Sequence, residues 1–495
     1  MSNKNLKQKA VSGMIWTALQ KYSTMFVHFI SGIILARLLT PYDYGCIGML
    51  MIFVVLAESF IDGGFGSALI QKKRPTQEDY STIFFWNLGM AVLLYAILFF
   101  SAPVIARFYR IPLLCDVLRA QGVILFIYAF NVVQRNQLQK KLNFKVLSIV
   151  TITTSIISLV VTIVMAYHGY GVWSLVTQQI LTALIPTLVF WFYIKWRPKL
   201  VFSVQSFKEL FSFGGYMFLT HLLNSLSSQI NGLFIGKLYN AATMGYFSKA
   251  MSTEKLASQS ISQVVSQVTF PLYAEVQDDK VVLINMLKRL TTAIFYISAP
   301  LMFILILVAK PLFILLYSDR WTQSVPYFQI LCLAGLALCL QSVNNQTIAA
   351  IGKSKQMFWW TVVKRSFTLL VKIVGLFFWG LEGLLVGIVL SYWFAYFINI
   401  RLVSKYIGYK SIQQVKDLFP TVVASILAFS VSYTVIVFFD LTLYKDGILK
   451  LLVFVLIYGA WSLLFKPQEY QYFVTIFVPM ISKVRRKFNN PHHKQ

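Results

Sequence analysis

The sequence predicts an all-α, polytopic membrane protein with about 14 transmembrane helices. Of its 495 residues, 58% are hydrophobic and 12% are charged, and the mean hydropathy is +0.68, which is too apolar for a soluble globular chain. Apolar runs of about 18 residues or more, long enough to cross a bilayer, alternate with short loops. They cover residues 14–36, 44–70, 82–106, 117–138, 146–167, 172–194, 211–236, 243–272, 289–309, 324–348, 357–379, 383–402, 418–440 and 448–465.

The basic residues indicate that both termini are cytoplasmic. Loops, tails and adjoining helix ends on the N-terminal side carry 29 of the 44 Lys and Arg residues, and those on the opposite side carry nine. Basic residues accumulate on the cytoplasmic side of membrane proteins. The net charge of +27 is spread over these short loops, which argues against a nucleic-acid-binding surface. The apolar run from Val11 to Leu39 is too long for a cleaved signal peptide, so the first helix is expected to stay.

Two stretches of the sequence correspond without a gap at an offset of 200 residues. SGIILARLLTPYDYG (31–45) aligns with NGLFIGKLYNAATMG (231–245), so that Gly45 matches Gly245 and Arg37 matches Lys237. We therefore expect two parallel six-helix repeats about an axis along the membrane normal. The expected domains are a first lobe at 1–196, a cytoplasmic linker at 197–210, a second lobe at 211–405, two additional transmembrane helices within 406–481, and a basic cytoplasmic tail at 482–495.

The run WWTVVKRSFTLLVKIVGLFFW (359–379) carries three cations near its middle. Lys364, Arg365 and Lys372 each cost about 2.5–3.5 kcal/mol at the bilayer centre. Its eleven Val, Leu, Ile and Phe residues together favour membrane insertion by only about 3–7 kcal/mol. The helix is therefore not expected to insert into the membrane by itself. Lys364 and Lys372 lie on one helical face. This face is expected to line the bundle interior or a hydrated cavity.

Four other predicted helices also carry polar residues at helical spacing. Glu58 and Asp62 lie four residues apart within 44–70, and Lys249 and Lys255 lie within 243–272. The first and seventh helices present matching stripes at the 200-residue offset. These stripes consist of Lys21, Thr24, His28 and Ser31, and of His221, Asn224, Ser228 and Asn231.

Cations outnumber anions within the predicted helices. Since an unpaired buried charge is costly, the excess predicts a hydrated cavity that binds an anion, although each cation taken singly could instead snorkel or pair with a nearby carboxylate. The cations are Lys21, Lys249, Lys255, Lys364, Arg365 and Lys372, and the anions are Glu58, Asp62 and Glu254.

Glu58 and Asp62 admit two interpretations. They neutralise Lys21 of the neighbouring helix, or one of them titrates during transport and couples flux to a proton or sodium gradient. No cofactor and no metal site are predicted, because the four cysteines lack metal-ligand spacing. Cys332 and Cys339 are expected to pack on one helical face.

Catalytic motifs are absent from the sequence. It holds no G-x-S-x-G, no Walker loop, no H-E-x-x-H and no long loop on the non-cytoplasmic side to house chemistry. We therefore do not expect an enzyme.

Four segments resemble a known superfamily of exporters. They are KAVSGMIWTALQKYSTMFVHFISGIILARLLTPYDYGCIGM (9–49), FIDGGFGSALIQKK (60–73), YGVWSLV (170–176) and FSFGGYMF (211–218). On these segments the chain is similar to the multidrug/oligosaccharidyl-lipid/polysaccharide exporter superfamily, and within it to Wzx-type polysaccharide-unit flippases.

The resemblance implies a V-shaped, two-lobed bundle with a central cationic cavity in the bacterial inner membrane. It implies alternating-access flipping of undecaprenyl-pyrophosphate-linked oligosaccharides for O-antigen, capsule or exopolysaccharide biosynthesis. Membrane lipid and the polymerase and glycosyltransferases of the same pathway are then the expected partners. We expect Lys364, Arg365 and Lys372 to bind the pyrophosphate. The other expected substrate-binding residues are Lys21, Lys249 and Lys255, together with Asn224 and Asn231, which would bind sugar hydroxyls.

Three alternatives remain open at this point. An ion-coupled drug or cation antiporter of the same superfamily would favour a cavity of net negative charge. A membrane polysaccharide polymerase or ligase would be expected to carry a long periplasmic loop. A flippase for the peptidoglycan precursor would also bind a pyrophosphate and is hard to separate by sequence.

Overall fold

Long helices make up almost all of the part of the chain that the structure describes. The computed structural model describes residues 3–276, 279–437, 442–468 and 470–472, and no strand occurs in these ranges. The helices are α1 Asn3–Leu38, α2 Pro41–Asp62, α3 Phe65–Gln71, α4 Gln77–Tyr109, α5 Leu113–Lys140, α6 Phe144–Tyr167, α7 Val172–Tyr193, α8 Val204–Leu238, α9 Ala241–Glu275, α10 Lys280–Leu307, α11 Ala309–Tyr317, α12 Ser324–Ala350, α13 Ser354–Ile407, α14 Ser411–Val437 and α15 Leu443–Phe465.

The predicted all-α class with 14 long helices is confirmed over the described ranges. Trp379 and Gly380 leave the helical conformation inside α13, which divides it into a first arm (354–378) and a second arm (381–407). With α13 counted as two and the short α3 and α11 set aside, 14 long helices result. The predicted basic tail at 482–495 lies outside the described residues.

The predicted helix at 44–70 is broken in the structure. Gly63 and Gly64 adopt left-handed backbone conformations, with φ of 52° and 76°, which favour glycine. The chain therefore turns after Asp62 and continues as the short α3. Two adjacent glycines in an apolar run are the signal for this break.

Three long helices are less apolar than the rest. Ten described segments are long and apolar enough to cross a membrane, and α1, α8 and α9 are not among them. These three helices carry the polar stripes that contain Lys21, Asn224 and Lys255. Their insertion must therefore depend on neighbouring helices or on water.

The chain divides by packing into two compact units, residues 1–248 and residues 249–495. In the first unit α1 packs on α6, α5 packs on α4 and α7, and α2 packs along α8. In the second unit α12 packs on α10 and α13, and α14 packs on α10 and α15. The lobe limits derived from the repeat remain a prediction.

The linker before α8 is tied to the start of α4. The backbone N–H groups of Lys199 and Ser203 donate to the hydroxyls of Ser81 and Thr82, at 3.1 and 3.0 Å. Phe207, on the first turn of α8, packs 4.7 Å from Trp86 between ring centroids. The linker therefore has a fixed path along the first unit.

Candidate functional site

Lys364, Arg365 and Lys372 lie on the first arm of α13. The Nζ of Lys364 donates to Oδ1 of Asn399, at 3.0 Å, on the second arm. Asn399 is completely buried, and Lys372 is only 5% exposed. The hydrogen bond fixes the direction of the Lys364 side chain across the two arms.

Lys255 of α9 joins these three cations. Lys372 lies within electrostatic range of Arg365 and Lys255, and Lys364 lies within range of Arg365. The second unit thus brings together four of the predicted residues, which we call the cationic cluster: Lys255, Lys364, Arg365 and Lys372. Like charges held together in a membrane-spanning region repel one another, and an anion would relieve that repulsion.

Glu254 precedes Lys255 on α9, and its carboxylate packs against α12. Its side chain is 5% exposed, and a Cβ at Gly335 of α12 would lie 2.4 Å from its Oε1 atom. The missing side chain at Gly335 makes room for this carboxylate. Glu254 offsets one charge of the cationic cluster, which keeps a net positive charge.

Lys249 lies in an aromatic environment. Its Nζ is 4.7 Å from the ring centroid of Tyr317 and 5.1 Å from that of Trp321, and the side chain is 4% exposed. Rings at these distances stabilise a cation through their negative faces. This contact explains the buried charge structurally, and the assignment of Lys249 to the substrate remains a prediction.

The remaining predicted residues lie in the first unit. Lys21 is half-buried on α1, and Asn224 is half-buried on α8. Asn231 is 4% exposed, and its Oδ1 atom has no hydrogen-bond partner within the described part of the chain. Because the cationic cluster belongs to the second unit, a shared site for all these residues stays a prediction.

Glu58 and Asp62 line a cavity of about 300 Å³ inside the first unit. The cavity lies where α2 ends and α3 begins, and α5 and α8 complete its wall. The other lining residues are Val55, Ser59, Gly64, Gly66, Ser67, Ile70, Tyr128, Asn131, Val132, Arg135, Asn136, Gln139, Phe218 and His221.

The turn between α2 and α3 holds the Asp62 carboxylate at this cavity. Oδ2 of Asp62 accepts the backbone N–H of Gly64 at 3.2 Å. A Cβ at Gly66 would lie 2.9 Å from Oδ1 of Asp62 and 3.1 Å from Nδ2 of Asn136. The absence of a side chain at Gly66 therefore allows Asp62 and Asn136 to approach the same point.

Lys21 does not neutralise the two carboxylates. Among the described residues no carboxylate lies within 4.0 Å of the Lys21 amine, and α1 packs mainly on α6. His221 and Arg135 are the basic side chains at the cavity instead. The role of Glu58 and Asp62 in ion coupling remains a prediction.

The contribution of α5 was missed from the sequence. Tyr128 lies within electrostatic range of Asp62, Glu58 and Arg135, and Asn136 faces Gly66. The available signal was the run QRNQLQ (134–139) inside an otherwise apolar helix. Amide side chains are costly in a membrane without partners, so such a run indicates a polar interior.

Residues 34–326 match the model of a protein family described as polysaccharide biosynthesis protein. This match covers more than half of the chain. The chain belongs to this family. The membership confirms the expected link to polysaccharide biosynthesis.

Several curated proteins are similar over about 70% of their length. The teichuronic acid biosynthesis protein TuaB of Bacillus subtilis is 26% identical over 72% of this chain and 74% of its own. The lipopolysaccharide biosynthesis protein WzxC of Escherichia coli is 22% identical over 69% of each chain. The succinoglycan biosynthesis transport protein ExoT of Rhizobium meliloti is 24% identical over 70% of this chain and 71% of its own.

Solved structures show the same fold. The lipid II flippase MurJ in an inward closed conformation superposes with a TM-score of 0.74 at 16% identity, over 91% of this chain and 98% of that one. An inward-facing multidrug resistance MATE family transporter of the MOP superfamily gives a TM-score of 0.59 at 15% identity, over 80% and 98%. The expected resemblance in fold is thereby confirmed.

Proposed function

We propose that this protein flips undecaprenyl-pyrophosphate-linked oligosaccharide units across the bacterial inner membrane by alternating access. The cationic cluster is the observation that carries the proposal, since Lys372 lies within electrostatic range of both Arg365 and Lys255. Arg365 and Lys372 belong to a segment long and apolar enough to cross a membrane. Membership of the polysaccharide biosynthesis family and the names of the relatives support this substrate class.

The chemistry of the cationic cluster fits a pyrophosphate. Guanidinium and ammonium groups donate charge-assisted hydrogen bonds to phosphate oxygens, and these bonds are strong in a poorly hydrated environment. The planar guanidinium of Arg365 can hold two oxygens at once, while Lys255 and Lys372 act as point charges. The substrate would thus supply the negative charge that the cluster attracts.

The same cluster argues against an organic cation as the substrate. A cationic drug would be repelled by Arg365 and Lys372, whereas an anionic head group would be attracted. The fold shared with MATE transporters therefore does not extend to their drug substrates in this proposal. A polymerase or ligase would need a catalytic group, and the cluster supplies only anion-binding side chains.

The test is transport by the purified full-length chain in liposomes. We expect Arg365→Gln and Lys372→Gln to abolish flipping of the lipid-linked oligosaccharide and the surface polysaccharide of the host. Arg401→Gln, which removes an exposed cation from the second arm of α13, is the matched control and should leave both intact. Full flipping by the Arg365 and Lys372 variants would refute the assignment.

A second substrate in the same assay separates the two flippase hypotheses. Lipid II carries a pyrophosphate on the same polyprenyl chain, so the cationic cluster alone does not distinguish it. We expect the host's oligosaccharide lipid to be flipped, and we expect lipid II to compete poorly with it. Preferential flipping of lipid II would contradict a role in polysaccharide export.

A further inference from the structure

The cavity in the first unit contains a buried amide without a partner. Asn136 is 8% exposed, and its Nδ2 atom has no hydrogen-bond partner within the described ranges. Nδ2 of Asn136 and Oδ1 of Asp62 approach the same point above Gly66, since a Cβ there would lie 3.1 Å from the first atom and 2.9 Å from the second. Buried polar groups are nearly always satisfied in proteins, so the arrangement points to a ligand that accepts a hydrogen bond here.

The charges at the cavity decide what kind of ligand fits. Ionised Glu58 and Asp62 only accept hydrogen bonds, whereas Arg135 only donates them. A pyrophosphate would be repelled by the two carboxylates, and a metal ion would be opposed by the guanidinium. Within the part of the chain that the structure describes, no group of three or more His, Cys, Asp or Glu residues could hold a metal ion.

A sugar ring can bind both the hydrogen-bond acceptors and the hydrogen-bond donors of the cavity. Its hydroxyls donate to the carboxylates of Glu58 and Asp62 and accept from the amide of Asn136 and from Arg135. Phe218 and Val55 supply apolar surface for the C–H faces of the ring. We propose that this cavity binds one uncharged sugar residue of the lipid-linked oligosaccharide, an inference that rests on the proposed function.

The size and position of the cavity agree with this ligand. Its volume of about 300 Å³ is at the lower end for ligand pockets, which fits a single ring-sized part of a larger substrate. It lies at the end of α2 that continues into α3 and the basic residues Lys72, Lys73 and Arg74. The charge distribution places this end on the cytoplasmic side, where a flippase receives its substrate.

The experiment compares two lipids on the full-length protein in nanodiscs. One is the oligosaccharide-linked undecaprenyl pyrophosphate isolated from the host, and the other is undecaprenyl pyrophosphate without sugar. We expect Asn136→Leu and Asp62→Asn to weaken binding of the sugar-bearing lipid by about 10-fold or more and to leave binding of the bare lipid unchanged. Lys372→Gln should weaken the binding of both lipids.

Gly66→Ala provides a second variant that keeps every polar group. Its methyl group would occupy the point between Asp62 and Asn136, and it should selectively weaken binding of the sugar-bearing lipid. If the wild-type protein binds neither lipid, the proposed function fails. If both lipids bind and the cavity variants bind them as the wild type does, only the sugar subsite fails.

An ion site is the competing outcome. Binding of radioactive sodium, or proton uptake on lipid binding, would then be lost in Asp62→Asn while the affinities for both lipids stay unchanged. That result would overturn the sugar subsite and assign the cavity to coupling.

Discussion

Gly45 and Gly245 make reciprocal contacts at the crossing of α2 and α9. A Cβ at Gly45 would lie 1.7 Å from the carbonyl oxygen of Ala241, and a Cβ at Gly245 would lie 1.8 Å from that of Pro41. Pro41 and Ala241 are themselves related by the 200-residue offset. The two helix starts therefore cross with approximate twofold symmetry, backbone against backbone.

The helix boundaries around this crossing follow the same offset. α1 ends at Leu38 and α8 ends at Leu238, while α2 begins at Pro41 and α9 begins at Ala241. The residues that precede α2 and α9 make equivalent hydrogen bonds. The side chain of Thr40 accepts from the N–H of Asp43, and the side chain of Asn240 accepts from the N–H of Thr243. Both side chains cap a helix N-terminus.

Gly45→Ala and Gly245→Ala should each force α2 and α9 apart. A methyl group would collide with a backbone carbonyl that cannot rotate away, and overpacking of this kind costs about 1–3 kcal/mol or more. We expect a lower melting temperature of the purified protein and reduced surface polysaccharide. Gly32→Ala is the control, because among the described residues a Cβ there would meet no atom of a neighbouring element within 4 Å. Equal losses in all three variants would contradict the explanation.

Sequence periodicity predicted the helices well because each span must satisfy its own backbone and match the bilayer. The fourteen long helices, the burial of Cys332 and Cys339, and the clustering of Lys364, Arg365 and Lys372 on one arm follow from residues close in sequence. These properties depend on a single helix.

Which helices pack against each other could not be predicted from sequence periodicity. The cavity at Asp62 depends on α5 meeting the α2–α3 turn, and the absence of a Lys21 pair depends on α1 packing on α6. Periodicity identifies a polar face but not the helix that covers it.

The break at Gly63 was visible in the sequence as a pair of adjacent glycines. It was missed because the apolar run continues through it.

Lys249→Met should reduce stability rather than substrate affinity. The variant removes a cation held 4.7 Å from the Tyr317 ring, and desolvated cation–π contacts contribute about 2 kcal/mol. We expect a lower melting temperature with unchanged affinity for the oligosaccharide lipid. Lys249→Arg keeps the charge over the rings and should restore most of the loss. A selective loss of lipid binding in Lys249→Met would instead support the predicted substrate role.

The Lys72 amine joins two carboxylates of very different exposure. It lies 3.0 Å from Asp79, whose side chain is 1% exposed, and 3.1 Å from Glu209, whose side chain is 59% exposed. Lys72→Met should cost about 1–3 kcal/mol, because the buried carboxylate loses a partner. Glu209→Gln should cost about 0–1 kcal/mol, because exposed pairs are weak.

Double-mutant cycles on the free energy of unfolding measure the two couplings separately. We expect the Lys72–Asp79 coupling to exceed the Lys72–Glu209 coupling, and the reverse order would contradict the burial argument. Burial lowers the pKa of Lys72, but hydrogen bonds and charges from Asp79 and Glu209 outweigh it and raise the pKa above 10.5. The stabilisation should therefore be complete below pH 10.5 and be lost as the pH rises through the higher folded-state pKa.

Tyr409, between α13 and α14, should make the protein sensitive to alkali. Its hydroxyl donates to Asp417, whose other oxygen pairs with Lys288 at 2.9 Å. Burial, with the Asp417 hydrogen bond and charge, raises the pKa of Tyr409 well above its ordinary value of 10.0. Above that value the unfolded chain ionises while the folded protein stays neutral, so the free energy of unfolding should fall as the pH rises.

Tyr409→Phe tests this pH dependence directly. Near neutral pH the variant should lose about 1.5–3 kcal/mol, the contribution of a hydrogen bond to a charged group. Its unfolding free energy should then decline less than that of the wild type above pH 10.0. Tyr444→Phe removes a more exposed hydroxyl and should follow the wild-type curve. Parallel alkaline curves for wild type and Tyr409→Phe would show that other groups control the transition.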